Sequence, residues 1–167
     1  MSLTEHSFHP APAMLTAPIS RSQFVTEAEA NEQLVRRFFD EVWNQKNEAA
    51  VEEFMAPDCV AYGLPDPDAV LHGPEEFLAV FRIFIGAFPD VRVTVHDVIA
   101  ADDRVAVRWT ALGTHLGSNL GFPATRKSIT LDGATIGIVR DGKIVQAWNT
   151  MDMGHLFDSI RPEPRRM

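Results

Sequence analysis

The sequence of 167 residues has only one cysteine, Cys59, and lacks any long hydrophobic run. One thiol excludes an intramolecular disulfide and a cysteine-rich metal site, and its apolar surroundings predict a buried, unreactive side chain. Residues 1–25 lack a basic segment followed by an apolar one, so they do not resemble a signal peptide. No stretch approaches the roughly 20 apolar residues of a membrane span. We therefore expect a cytoplasmic protein with no membrane segment.

Basic residues are also scarce: 15 Lys and Arg stand against 23 Asp and Glu, which gives a net charge of −8. The only basic cluster, Arg161 to Arg166, is interrupted by prolines, so nucleic acid is not an expected partner. The six histidines show neither H-x-x-x-H nor H-x-H spacing, and we expect no metal site. Serine-nucleophile, P-loop and dinucleotide motifs are absent too.

The length and the 46% hydrophobic content fit one globular domain. Residues 1–25 carry three prolines and no periodicity, which predicts a flexible N-terminal arm. We place a single domain at 26–160 and a C-terminal tail at 161–167.

Helical periodicity dominates the first half of this domain. Apolar residues at 34, 35, 38, 39, 42 and 43 predict an amphipathic helix of about 15 residues. Asn47 is expected to cap a second, short helix. Pro74 favours the start of a third helix, which presents a row of phenylalanines and ends at Pro89.

The period then changes to two, which is typical of strands. Alternating residues predict strands at 91–95 and 105–111, and Asp141-Gly142 predicts a hairpin turn before a last strand and a short helix. In the strand at 127–140 the apolar positions change parity, which predicts a β-bulge at Asp132-Gly133. A short strand ends at Tyr62 and a loop follows at 63–73. The sum is an α+β fold: a cone-shaped, strongly bent, mostly antiparallel sheet wrapped around the N-terminal helices, with a ligand cavity at the open end.

Three polar residues near strand ends are candidates for chemistry in that cavity. His115 shares the parity of Trp109, so it points inward as an acid, base or donor, or it simply bonds a backbone carbonyl. Asp152 is a base if its carboxylate faces the cavity, and otherwise caps the last helix. Asn149 offers an amide for an oxyanion or a water, although strict alternation puts it opposite Asp152.

Further residues are candidates for substrate binding. Asp132 either aims inward from the suspected bulge or is solvated, and His72 lies either at the cavity mouth or on the surface. The three tryptophans belong to the core first and to the pocket wall second. The predicted substrate-binding set is Trp43, Tyr62, His72, Trp109, Asp132 and Trp148.

Five segments together resemble the SnoaL-like polyketide (ester) cyclases of the nuclear-transport-factor-2-like superfamily. They are Phe88-Pro89-Asp90, residues 103–109, Gly113-Thr114-His115-Leu116-Gly117, residues 121–127, and Asp141 through Trp148 to Asp152. The resemblance covers about residues 29–158, and the five segments have the same order and spacing as in the family.

The resemblance implies an α+β cone barrel, usually dimeric, that closes a ring by intramolecular aldol condensation without metal or cofactor. An acidic residue on the last strands acts there as general acid and base, aided by polar residues including a histidine. By position, Asp152 matches the acid and His115 the motif histidine. Asn149 stands where some members carry an acid, and Arg126 stands where the loop usually has glycine.

The predicted function is therefore cofactor-free removal of a proton alpha to a carbonyl by Asp152, with His115 and Asn149 stabilising the enolate or donating a proton. The ligand would be a small apolar or polycyclic carbonyl compound, whose identity the sequence leaves open. One alternative is a non-catalytic binding protein with the same pocket. Another is a hydrolase like the epoxide hydrolases of this fold, but Arg108 has the wrong parity for the Asp–Arg–Asp set it needs. Apolar residues on both faces of the 127–140 strand predict a homodimer.

Overall fold

The computed structural model describes residues 25–162, so the predicted arm at 1–25 and tail at 161–167 lie almost wholly outside it. The helices are α1 (Glu27–Phe38), which continues as a π-helical segment (Phe39–Asn44), α2 (Ala50–Phe54), α3 (Gly73–Ala87) and α4 (Met153–Ile160). The strands are β1 (Met55–Tyr62), β2 (Val70–His72), β3 (Arg92–Ala101), β4 (Arg104–Thr114), β5 (Ser128–Arg140) and β6 (Lys143–Met151). No helix between residues 25 and 162 is long and apolar enough to cross a membrane.

The strands form one six-stranded sheet in the order β2-β1-β6-β5-β4-β3. All neighbours are antiparallel except β1 and β6, which run parallel. Helix α1 packs on β3 and β4, whereas α3 packs on β1, so the curved sheet wraps around both helices. The predicted α+β fold is confirmed. The sheet is not closed, because β2 and β3 are its two edges, and β2 lies inside the segment predicted as a loop.

The first helix begins at a reciprocal cap. The Glu29 backbone N–H donates to Thr26 Oγ1 at 3.2 Å, and the Thr26 N–H donates to Glu29 Oε2 at 2.8 Å, which satisfies two free donors of the first turn. The helix then widens into the π-helical segment, a rearrangement often found beside functional sites. Phe39 and Val42 of this segment are buried.

The second helix starts differently from the prediction. Ala49, not Asn47, occupies the N-cap position, and no side chain caps the helix. The predicted Asn47 cap is wrong, because the backbone carbonyl of Asn47 accepts the Ala50 N–H at 3.2 Å and closes the turn in place of its side chain.

The predicted bulge at Asp132-Gly133 is also wrong. The register between β4 and β5 is continuous from Thr114 opposite Ser128 to Arg104 opposite Ile138. The irregularity lies one strand further on, where Ile138 pairs with Gln146 and Val139 pairs with Ile144. Val145 therefore has no opposite residue, which makes it the extra residue of a β-bulge on β6.

This bulge reverses the alternation of side chains along β6. Before it, Ile144 faces inward; after it, Ala147, Asn149 and Met151 face inward, and Trp148 faces out. Parity counted from Ile144 to Trp148 therefore assigns the second half of the strand to the wrong face.

The outer edge of β3 is held by one side chain of the π-helical segment. Asn44 Oδ1 accepts the Val93 N–H at 2.7 Å, and Asn44 Nδ2 donates to the Val93 carbonyl at 2.9 Å. Both groups belong to an edge strand, where they would otherwise be free to pair with another chain.

We expect Asn44→Ala to lower the free energy of unfolding by about 1–3 kcal/mol, because it removes both partners of a part-buried backbone site. Urea denaturation followed by circular dichroism measures the change. Gln45→Ala is the matched control, since that side chain bonds only the exposed Asp40. Equal stability of the two variants would contradict a clamping role for Asn44.

Candidate functional site

A cavity of about 160 Å³ lies between the helices and the inner face of the sheet. Its wall consists almost wholly of apolar side chains from α1, the π-helical segment, α3 and the five longer strands. The rest of the wall comes from Leu64 and Pro65 between β1 and β2, Leu120 between β4 and β5, and Met153 and Phe157 of α4. The arrangement suits a largely apolar small molecule.

Small residues on β5 create this space. The inward positions that follow the buried Leu131 are Gly133, Thr135 and Gly137, while Ile136 between them points outward and is 49% exposed. The alternation of β5 therefore continues unbroken, and the apparent parity change in the sequence reflects missing bulk on the cavity side.

A steric constraint explains why position 133 is a glycine. Gly133 lies directly opposite Trp109 on β4, and a Cβ at this position would overlap the indole ring. The glycine thus allows Trp109 to lie across the sheet with its Nε1–H directed at Thr135. Trp109 lines the cavity, as does Trp43 of the π-helical segment.

One chain of hydrogen bonds interrupts the apolar wall. Trp109 Nε1 donates to Thr135 Oγ1 at 3.1 Å, and Thr135 Oγ1 donates to Asn149 Oδ1 at 2.9 Å. Asn149 Nδ2 in turn donates to the Tyr62 carbonyl at 3.0 Å. Thr135 and Asn149 are cross-strand partners on β5 and β6, and both side chains line the cavity.

The only ionisable side chain among the described residues that line the cavity is Cys59. Burial raises its pKa to about 11, so the thiol stays protonated and unreactive at neutral pH. The predicted buried, inert cysteine is confirmed.

Asp152 does not face the cavity. Its side chain is exposed, and its Oδ1 accepts the His155 N–H at 2.8 Å as the N-cap of α4. Its neighbours Met151 and Met153 line the cavity, so Asp152 lies at the rim. The expectation that His115 and Asp152 share the cavity is wrong, because the chain turns out of the sheet at Asp152 and this turn uses the carboxylate as a helix cap.

His115 is fully buried, as its inward parity predicts, but it lies outside the cavity wall. Its ring packs between Phe88 and Phe122, with centroids 5.6 and 5.1 Å away. Its Nδ1 accepts the Thr125 N–H at 3.2 Å, whereas Nε2 has no hydrogen-bond partner among the described residues. Burial lowers the pKa of His115 from its usual 6.5, although the Gly117 carbonyl partly offsets this effect. His115 is therefore a neutral anchor for the β4–β5 loop.

Four other predicted substrate-binding residues also lie outside the cavity wall. Tyr62 and Trp148 stack on the outer face of the sheet, with centroids 5.7 Å apart and planes at 11°; the β6 bulge explains the position of Trp148. Asp132 is on the same outer face and accepts a hydrogen bond from Thr110. His72 is exposed, and its backbone N–H donates to Glu76 Oε2 at 2.6 Å.

Sequence reasoning missed Thr135, the residue at the centre of the polar chain. Its signal was present: it occupies the inward parity of β5 between two glycines, where a buried strand would normally carry a large apolar side chain. Within residues 25–162, no three His, Cys, Asp or Glu side chains meet so as to hold a metal ion.

The buried imidazole predicts a pH dependence of stability. Because the pKa of His115 is lowered in the folded state, the unfolded chain binds a proton that the native protein does not. The stability contributed by neutral His115 is fully present above pH 6.5 and decreases as the pH falls from there toward the folded pKa. The urea concentration at the midpoint of unfolding should fall less between pH 7.5 and pH 5.5 for His115→Phe than for the wild type. The exposed His155 gives the control, since His155→Gln should keep the wild-type loss; equal losses in all three proteins would contradict the assignment.

Comparison with known proteins places the chain in a family. The sequence profile of the SnoaL-like polyketide cyclases matches residues 33–160. A protein from Jannaschia sp. CCS1 described as a candidate SnoaL-like polyketide cyclase is 22% identical, with a TM-score of 0.75 over 84% of this chain and 98% of that chain.

Two Streptomyces structures are similar at somewhat higher identity. IdmH of Streptomyces antibioticus, described as a candidate polyketide cyclase, is 27% identical, with a TM-score of 0.67 over 77% of this chain and 96% of that chain. AclR of Streptomyces galilaeus, described as a candidate hydroxylase, is 26% identical, with a TM-score of 0.69 over 80% and 96%. No curated protein matches the sequence significantly. The fold and the match over most of the chain agree: the protein belongs to the SnoaL-like polyketide cyclase family.

Proposed function

We propose that the protein binds a small, uncharged carbonyl compound, apolar or polycyclic in character, and closes a ring in it by intramolecular aldol condensation. The observation that carries the proposal is the apolar cavity of about 160 Å³ whose wall contains the Thr135–Asn149 pair. No cofactor is required for this chemistry.

The cavity contributes confinement. A chain with two carbonyl groups must fold back on itself before a ring can close, and a closed apolar space favours the folded conformer. No Lys or Arg is among the described lining residues, so an anionic substrate would lose its hydration without gaining a partner. The proposed substrate is therefore a ketone or an ester and not a free carboxylic acid.

The proton transfers are assigned to the rim and to the polar pair. Asp152 takes a proton from a carbon alpha to one carbonyl group, the resulting enolate carbon attacks a distant carbonyl of the same molecule, the new alkoxide regains the proton, and the resulting β-hydroxy ketone loses water to complete the condensation. Asn149 stabilises the negative oxygen of the enolate. His115 supports this site indirectly, by holding the β4–β5 loop that delivers Leu120 to the wall.

Asp152→Asn tests the base assignment. Asparagine caps a helix nearly as well as aspartate but does not accept the proton, so turnover should fall roughly 10²-fold or more while ligand affinity survives. Screening linear di- and triketones by mass spectrometry for loss of one water detects the condensation. Asp158→Asn, an exposed change on the same helix, should retain wild-type turnover. Full activity of Asp152→Asn would refute the role of Asp152.

A second candidate is a binding protein without chemistry. It is favoured by the lack, among the described lining residues, of a carboxylate or an imidazole. Saturable binding of the screened ketones with no product would support this candidate over the cyclase. The hydrolase alternative gains no such support, because Arg108 lies on the outer face and pairs with Asp97 at 2.7 Å.

Gly137→Leu is the control for the site itself. A Cβ at Gly137 would meet only the Gln146 carbonyl at an ordinary 3.7 Å, so the strand tolerates a side chain, which then fills the cavity. Both ligand binding and turnover should be lost in this variant. Retained binding would place the ligand elsewhere.

The outer face of the sheet supports a proposal about assembly. Paired residues on consecutive strands form an apolar row across all six strands: Ile99, Ala106, Ile136, Trp148, Tyr62 and Val70. Ile99 is 70% exposed and Trp148 37% exposed. With strands about 4.8 Å apart, the row is about 24 Å long, comparable to one side of a standard interface. We propose that a second copy of the chain covers it.

Ile136→Lys should shift the protein toward the monomer, because it places a charge at the centre of this row. Light scattering at tens of micromolar measures the mass. Val25→Lys, at an exposed apolar residue ahead of α1, should leave the mass unchanged. A wild-type monomer at this concentration would refute the dimer.

A further inference from the structure

We infer that Trp109 and Thr135 position the Asn149 amide in a single orientation, with an N–H donor available to the cavity, so that the site selects ligands bearing a hydrogen-bond acceptor. The inference deepens the proposed function and rests on the cavity being the ligand site. It does not depend on whether the ligand then reacts.

The tryptophan end of the chain sets the direction of the hydrogen bonds at Thr135. An indole N–H can only donate, so Thr135 Oγ1 must accept the hydrogen bond from Trp109 at 3.1 Å. The single hydroxyl proton of Thr135 is then free to donate to Asn149. The Asn149 amide oxygen 2.9 Å away accepts that proton, but because a hydroxyl oxygen has two acceptor lone pairs, this end alone is compatible with either orientation of the amide.

The tyrosine end fixes the orientation of the amide. The backbone carbonyl of Tyr62 can only accept, so the Asn149 atom 3.0 Å from it must be the amide nitrogen. A flipped amide would face the Tyr62 carbonyl with its oxygen and lose that hydrogen bond. The Tyr62 carbonyl therefore determines the orientation, and the Thr135 hydroxyl then donates to the amide oxygen.

This orientation decides what the amide offers to a ligand. Nδ2 carries two hydrogens, and the bond to Tyr62 uses one of them. The second is a donor in a wall that is otherwise apolar, where hydrogen bonds gain strength from the absence of competing water. A carbonyl oxygen satisfies this donor, whereas a hydrocarbon of the same shape leaves it unpaired.

The positioning role of Trp109 depends on Gly133. Because the indole occupies the space above this glycine, its Nε1–H reaches Thr135 on the same strand. Trp109 and Thr135 thus act through Asn149, and neither needs to touch the reacting atoms.

The test uses two bicyclic probes of matched shape, the ketone 1-tetralone and the hydrocarbon tetralin, with binding followed by calorimetry. Thr135→Val keeps the shape and removes the hydroxyl, so affinity for 1-tetralone should fall about threefold to tenfold, the loss expected for one hydrogen bond. Affinity for tetralin should not change. Thr135→Ser keeps the hydroxyl and should restore binding of the ketone.

The frequency of the infrared carbonyl band of bound 1-tetralone reports the hydrogen bond to the ketone directly. A merely structural role of Thr135 would leave this frequency unchanged. The band should lie at lower frequency in the wild type than in hexane, return to the hexane value in Asn149→Leu, and broaden in Thr135→Val. Equal weakening of both probes in Thr135→Val, or an unshifted band in the wild type, would overturn the inference while leaving the cavity as a binding site. Failure of both probes to bind the wild type would overturn the cavity as ligand site, and with it the inference. Binding without any turnover of diketones would count only against the cyclase reaction.

Discussion

The structure depends on the small size of the side chains on the inner face of β5. Gly133, Thr135 and Gly137 occupy three successive inward positions, and in a sheet packed against helices such positions usually carry branched side chains. The neighbouring sheet positions at Ala111 and Ala147 are also small. The indole of Trp109 fills the space over Gly133, whereas the space over Thr135 and Gly137 stays open and forms part of the cavity.

The polar chain in this cavity is neutral throughout, and the physical reason is the cost of burying charge. An isolated carboxylate in an apolar wall would lose several kcal/mol of hydration or take up a proton. An indole, a hydroxyl, an amide and a backbone carbonyl satisfy one another without that cost. Asp152, by contrast, remains exposed to solvent as the N-cap of α4.

Much of the fold was predictable because periodicity reports burial directly. The helical spacing around Phe38 and the phenylalanine face of α3 identified both long helices, and the Asp141-Gly142 turn identified the last hairpin. The candidate site was predicted less well. Parity along a strand is reliable only until a residue is inserted, and the insertion at Val145 has no distinctive sequence signal. Parity counted without this insertion therefore places Trp148 in the cavity.

The roles of Asp152 and His115 illustrate a second limit. Both lie where a strand ends, and the sequence does not show in which direction the chain leaves the sheet. Asp152 turns into a helix that needs a cap, and His115 enters a loop whose backbone it binds through Thr125. Local hydrogen bonding decides both side-chain directions. Asp152 caps the helix, which was one of its two predicted roles, whereas His115 accepts a backbone N–H in place of the bond to a backbone carbonyl.

The Val145 bulge makes the ligand site sensitive to the length of the chain. Deleting one residue there would restore strict alternation along β6 and exchange its two faces. The amide of Asn149 would then point to solvent, and the indole of Trp148 would enter the space beside Gly137. A single-codon deletion, without any change in composition of the wall on β5, would convert a cavity with a polar group into a filled core.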